Sequence, residues 1–207
     1  DVGELRDINA FIRFFNIIAP RSCSLLNKKE LSKEANLNEA TTSNYLSMLE
    51  MIYQLVLLPP FSSNISKRFI KSSKFYMTDS GIYCHLLGIQ DEQELQNSPH
   101  KGNVFETFVF SELLKHLSYA NTQARLYHYR TSDQKEIDFI LERGEQLVAI
   151  EVKSALQIKK DAFKHIIDLQ EKSKQSVLGI VLYAGEHVLS FSEDGYARYA
   201  VPLSVFF

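Results

Sequence analysis

Cysteine is scarce in this chain. Cys23 and Cys84 stand far apart, with no CxxC spacing and no cysteine–histidine cluster. That excludes a thiolate zinc site from the expectations and points to a reducing, cytoplasmic setting. No apolar run is long enough to span a bilayer and no segment has the form of a signal peptide, so no membrane partner is expected. There is no GxxxxGK[ST] loop, so the chain itself is not expected to hydrolyse ATP. A charge excess is missing too: the formal net charge is −2, with 10 basic against 11 acidic residues up to residue 100 and 13 against 14 beyond it. Any grip on nucleic acid must therefore come from a local patch. The six histidines are scattered and read as structural or solvated. What the chain does have is apolar material: 45% of its 207 residues are hydrophobic and 12% aromatic, enough for one or two domains with real cores.

The most informative stretch is Lys135 to Ser154, KEIDFILERGEQLVAIEVKS. Two apolar runs, around Ile137–Leu141 and Leu147–Ile150, flank the polar Glu142-Arg143-Gly144-Glu145, the pattern of a β-hairpin. Successive side chains on a strand point to opposite faces. Asp138 is thus expected on one face with Glu136 and Ile140, and Ile137, Phe139 and Leu141 on the other. On the second strand Leu147, Ala149, Glu151 and Lys153 share a face, opposite Val148, Ile150 and Val152. The hairpin can therefore bring Asp138 close to Glu151 and Lys153.

Those residue types suit one chemistry. Hydrolysing a phosphodiester needs a nucleophilic water and charge compensation at phosphate, and Mg²⁺ or Mn²⁺ held by hard oxygen ligands supplies both. Asp138 and Glu151 are the candidate carboxylates, the Val152 carbonyl a further ligand, and Lys153 the group that orients or helps deprotonate the water. Two close acids without a cation would repel and raise a pKa. Each residue alone has a plainer explanation: Glu-Val-Lys as a solvated edge pair, Asp138 as a strand-end cap. Their conjunction is what carries the site.

Asp138 followed thirteen residues later by Glu151-Val152-Lys153 resembles the PD-(D/E)XK nuclease superfamily. The superfamily's proline is absent, since Ile137 precedes Asp138. The resemblance implies a further metal-binding Glu on the helix before the sheet, and Glu106 fits. In GNVFETFVFSELLKHL (Gly102 to Leu117), Phe105, Phe108, Val109 and Leu113 form an apolar stripe at helical spacing, with Glu106 at its edge and Glu112 on the solvated side. Arg125 to Arg130 reads as a strand with Tyr127 and Tyr129 on one face and His128 on the other. Lys159 to Lys172 reads as a right-handed crossover helix with Phe163, Ile166, Ile167 and Leu169 inward, and Val177 to Tyr183 as a buried strand. Gln170 is either a surface residue or a reach into the site. Lys159, Lys160 and Lys164 either guide a phosphate backbone or form a solvated face.

The first half has a different pattern. Apolar residues from Val2 to Ile18 recur at helical spacing until Pro20, and with no start methionine the chain reads as an excised fragment. Asn27 with Glu30 at the N3 position resembles a capping box, opening a short helix to about Ala35. After the turn Asn36-Leu37-Asn38, a second helix runs from Glu39 to Tyr53 with Tyr45, Leu46, Leu49 and Ile52 inward. Thr41, Thr42, Ser43, Asn44 and Ser47 are its exposed face. Two short helices joined by a tight turn make a helix-turn-helix. Strands at Gln54–Leu58 and Lys74–Met77 would then flank a wing. Between Glu50 and Asp79 there is no acid, while Lys67, Arg68, Lys71 and Lys74 contribute +4, a candidate phosphate-contacting, nucleic-acid-binding strip.

The order of these parts, with Lys74–Gly81 and Gly102–Lys153 as its most specific segments, resembles the C-terminal region of a prokaryotic AAA-type ATPase family of unknown function. The resemblance implies an α/β chain: a winged-helix domain (1–90), a linker (91–101), and a PD-(D/E)XK restriction-endonuclease-like mixed sheet with flanking helices (102–207). It also implies an N-terminal ATPase domain as partner in a longer protein. The expected function is divalent-metal-dependent, nuclease-like action on DNA phosphodiesters, with Mg²⁺ or Mn²⁺ as cofactor. Whether the chain is an enzyme stays open. The alternatives are an inactive nuclease-fold module that binds DNA or protein and regulates the ATPase, and a DNA-binding switch using the wing alone.

Overall fold

The structure, a computed structural model, describes residues 7–62, 72–120 and 122–206. The chain divides into two units, Asp1–Leu57 with Ser72–Ser111 and Leu58–Lys71 with Glu112–Phe207.

In the first unit, α1 (Ile8–Ile18) starts where the Asp7 carboxylate accepts the Ala10 amide at 2.8 Å, a side-chain N-cap. The helix gives way to a 3₁₀ turn, Ala19–Arg21, at Pro20, as the missing proline N–H requires. The two-residue strand β1 (Ser24–Leu25) follows, then α2 (Lys28–Glu34), capped by Asn27, and α3 (Glu39–Met51), capped by Asn38. The expected pairing of Asn27 with Glu30 is present in altered form: the Glu30 carboxylate accepts from the Asn27 side-chain amide at 3.3 Å. Asn36 carries the turn at φ 52, a conformation asparagine tolerates. Strands β2 (Leu55–Leu58) and β3 (Lys74–Met77) complete a three-stranded sheet in the order β1-β3-β2.

Phe14, Ile18, Leu31, Tyr45, Leu46, Leu49, Leu55 and Phe75 fill the core of this unit. Two expectations for α3 need correction. Ile52 is exposed rather than inward, because the helix ends at Met51 before its face can turn to the core. Thr42 is fully buried rather than exposed, its hydroxyl donating to the Asn38 carbonyl at 3.0 Å. Further along lie α4 (Ser80–Leu86), capped by Asp79, and α5 (Glu92–Asn97), capped by Asp91. The polar stretch read as a linker thus contains a short helix, which ends at Ser98 in the extended conformation that Pro99 imposes. Helix α6 (Lys101–Tyr119) carries residues of both units. It buries Val104, Thr107, Val109, Phe110 and Leu113, with the expected Phe105 and Phe108 only half-buried.

The second unit is a mixed six-stranded sheet ordered β4-β5-β6-β7-β9-β8. Its strands are β4 (Arg125–Arg130), β5 (Glu136–Arg143), β6 (Gln146–Lys153), β7 (Ser176–Tyr183), β8 (Leu189–Ser190) and β9 (Arg198–Pro202). β4, β5 and β6 are antiparallel neighbours, β6–β7–β9 run parallel, and β8 closes antiparallel on β9. Gly144 sits at φ 60 in the β5–β6 turn, where a side chain would be strained. The crossover from β6 to β7 is a 3₁₀ turn, Lys160–Phe163, followed by α7 (Lys164–Lys172). Phe163, Ile166 and Leu169 pack with Ile137, Ile140, Leu147, Ala149, Val177 and Val181 in one core. Gln170 is neither a surface residue nor free to reach a site. It is buried, donates to the Val177 carbonyl at 2.9 Å and accepts from Arg198 Nε at 2.7 Å.

Candidate functional site

The hairpin carries the expected residues, with one local change in geometry. β4 pairs Tyr127 with Ile140 and Tyr129 with Ile137, so His128 alone faces both Asp138 and Phe139. That is a β-bulge on β5, one extra residue that breaks strict alternation. Ile137 and Ile140 accordingly face the same core, whereas simple alternation separates them. The β5–β6 ladder runs from Arg143↔Gln146 to Phe139↔Ile150. Just past it, the Asp138 side chain takes over the strand's role: its Oδ2 accepts the Val152 amide at 2.8 Å. The bulge re-aims this carboxylate across to β6.

On β6, Leu147 and Ala149 face the core beneath α7, and alternation carries that face to Glu151 and Lys153. Glu151 Oε1 lies 2.7 Å from Lys153 Nζ, the carboxylate side chain 15% exposed and the lysine 41%. A carboxylate so shielded is retained only with a partner. Asp138, Glu151 and Lys153 therefore stand on adjacent strands at one end of the sheet. Carboxylates are the ligand type that Mg²⁺ or Mn²⁺ takes, one or two of them with water and substrate oxygens in the remaining positions. Among the described residues, no group of three or more His, Cys, Asp or Glu side chains is placed to hold a metal ion.

Glu106 belongs to the first unit and has its own partners there. Its Oε1 accepts from Lys74 Nζ at 2.8 Å and from the Tyr76 hydroxyl at 2.6 Å. The side chains are 14% exposed for Glu106 and 7% for Lys74, and Tyr76 stacks on Phe110 with ring centroids 4.2 Å apart. Lys74, expected in a surface strip facing phosphates, is thus a buried lysine engaged by a carboxylate. Lys67, Arg68 and Lys71 lie outside the described residues. Glu112, expected to be merely solvated, pairs with Lys115 at 2.6 Å and is largely covered.

Several polar groups escaped sequence reasoning because most of their partners are remote in the chain. Lys135 bridges Asp133, at 3.5 Å, and Asp168. Bonds from Lys135 and then Lys172 hold the Asp168 carboxyl below the usual carboxylate range. His165 Nδ1 lies 2.8 Å from the Glu136 carbonyl. In the first unit, Cys23 sits at φ 69 with Sγ 3.3 Å from the Thr107 hydroxyl. Burial, with the Glu106 carboxylate adding to it, pushes its thiol well above the usual range, so it is a poor nucleophile.

Residues 101–206 match the family model described as "Domain of unknown function (DUF4143)", and residues 1–93 match a second, "Domain of unknown function (DUF8612)". Uncharacterized proteins of Mycobacterium bovis and Mycobacterium tuberculosis are each 30% identical over 183 residues, covering 87% of this chain and 40% of theirs. The chain therefore spans well under half the length of these curated relatives. No helix among the described residues is long and apolar enough to cross a membrane.

Proposed function

The chain belongs to the DUF4143 family, and we propose that in it the second unit is a PD-(D/E)XK-like module that hydrolyses DNA phosphodiesters with Mg²⁺ or Mn²⁺. One observation carries this reading: the β5 bulge turns Asp138 onto the Val152 amide, beside the strand bearing the paired Glu151 and Lys153. Asp138, Glu151 and the Val152 carbonyl would hold the ion. When bound, the ion supplies charge compensation at phosphate and a more acidic water. The protein's own part is positional. The Val152 amide fixes the Asp138 carboxylate, and the Glu151 contact fixes the Lys153 ammonium where it can orient the attacking water and offset phosphate charge.

The first unit, with α2 and α3 joined by a tight turn and a small sheet whose first strand precedes them and whose other two follow, is read as a winged helix. The full-length protein is read as coupling both units to an ATPase domain, because the resemblance described above includes one and the relatives are much longer than this chain.

The test is plasmid cleavage in Mg²⁺ and Mn²⁺. Parent protein is expected to nick or cut, while Asp138→Ala and Lys153→Ala lose at least about a hundredfold in rate, the scale of removing a positioned catalytic group. Equal cleavage by parent and variants would place the activity elsewhere. A second reading, an inactive module that regulates the ATPase, draws on Glu106 being committed to Lys74 and Tyr76. It requires that no heat of Mn²⁺ binding be lost in Glu151→Ala calorimetry.

A further inference from the structure

Within the second unit, a groove of about 490 Å³ opens between the end of β4 and the end of α7. Arg130, Thr131 and Ser132 line one side, and Lys172, Ser173 and Lys174 line the other. Its apolar floor is Phe61, Tyr129 and Leu169. None of the described residues lining it is acidic, so three cations and five hydroxyls, those of Ser62 and Tyr129 included, line a concave surface of single-ligand size.

The cations are held in place but not used up. Arg130 bonds Glu136 at 3.1 Å and also Gln134, which leaves further guanidinium donors. Lys172 bonds the two Asp168 oxygens at 2.8 and 2.9 Å while its side chain stays 62% exposed. Lys174 is exposed and makes no ion pair among the described residues. Asp168 is also bonded by Lys135, and it is not among the described residues that line the groove.

The position of the groove gives it meaning. Tyr127 and Tyr129 pack against the same core as Leu147 and Ala149, so the groove and the Glu151–Lys153 pair lie on one face of the sheet. β4 and β6 are separated by β5 alone, a lateral distance of about 10 Å at the usual strand spacing. Arg130 stands opposite Glu136, toward the Lys153 end of the hairpin, whereas the end of α7 leads into Ser176 opposite Gln146 and Gln175 bonds the Gly144 carbonyl. A polynucleotide strand in the groove would therefore run from Arg130 toward the hairpin turn, away from Glu151 and Lys153.

We infer that this groove is a phosphate-backbone subsite that takes a single polynucleotide strand leading away from the Glu151–Lys153 end of the sheet. The inference rests on the phosphodiester reading for its ligand class but concerns binding, not cleavage. The experiment measures fluorescence anisotropy of a short labelled single-stranded DNA oligonucleotide in EDTA across a salt series, so that no cleavage intervenes. Lys172→Ala/Lys174→Ala is expected to weaken binding about tenfold at low salt and to flatten the slope of log K against log salt by about one unit. Both lysines are exposed, and circular dichroism checks that the double variant is folded. Lys115→Ala, an exposed lysine of the same unit that does not line the groove, is run in parallel and is expected to bind like the parent. Absence of cleavage by the parent with the groove effect intact would sink only the hydrolytic reading. A double variant that binds like the parent, or a parent that does not bind at all, overturns the subsite. Preferential displacement by inorganic phosphate at matched ionic strength overturns it as well, because that marks a free-anion site rather than a strand track.

Discussion

Glu106 and Lys74 show what two residues can impose on each other once buried together. The pair is 32 positions apart in sequence, shielded from water, and supplemented by the Tyr76 hydroxyl. Removing one partner of such a pair leaves an uncompensated charge, which costs far more than the pair contributes net. Glu106→Ala is therefore expected to destabilise the protein by about 3 kcal/mol, read from urea denaturation. Glu106→Leu combined with Lys74→Met should recover most of that loss, because it abolishes both desolvated charges. Additive losses in the double variant would mean that the ion pair is not what each residue contributes. The sequence placed Glu106 correctly at the edge of a helical apolar stripe but could not name its partner. Lys74 read as one of four basic residues in an acid-free stretch, and nothing local distinguishes a buried lysine from an exposed one.

At the scale of the element, the hairpin was legible and its bulge was not. Alternating apolar residues around Gly144 are local information, and both strands lie close to where that pattern puts them. The bulge depends on how β5 pairs with β4, a strand that ends before the hairpin begins. One extra residue there moves Ile137 to the face of Ile140 and swings Asp138 onto Val152. Gln170 was misread for the same kind of reason, since its partners sit on β7 and beside β9. The helix–sheet contact at this point is close enough to test. A Cβ added at Gly179 would come within 2.7 Å of Ile166 Cγ2, so strand and helix approach each other there because glycine has no side chain. Gly179→Ala is expected to cost about 1–3 kcal/mol through overpacking, measured by thermal or chemical denaturation. Ile166→Leu lacks that methyl and should return part of the loss in the double variant. An unchanged midpoint in Gly179→Ala would show that the helix can shift away without penalty.

The whole molecule joins two units of unequal build. The first relies on short strands of two to four residues and on helices with side-chain caps at Asp7, Asn27, Asn38, Asp79 and Asp91. The second has three eight-residue strands in succession at the centre of its sheet, β5, β6 and β7, each hydrogen-bonded on both sides. That contrast was readable in outline, since three strand-like apolar runs, around Ile137–Leu141, Leu147–Ile150 and Val177–Tyr183, follow one another after residue 135. The division of α6 between the units was not, because a continuous helix gives no compositional sign of where its packing changes. Stability is distributed unevenly when backbone bonds are covered unevenly, and amide exchange reports that distribution. Peptides covering Phe139–Leu141, Val148–Ile150 and Leu178–Leu182 are expected to exchange last. Those covering Ser24–Leu25 and the exposed edge strand Leu189–Ser190 should exchange early, because each of these strands has only two residues and pairs on one side. Hydrogen exchange followed by mass spectrometry measures this directly. Slower exchange in the short-stranded sheet than in β6 would mean that the central sheet opens first, and the bulged hairpin could not then serve as a rigid platform for Asp138, Glu151 and Lys153.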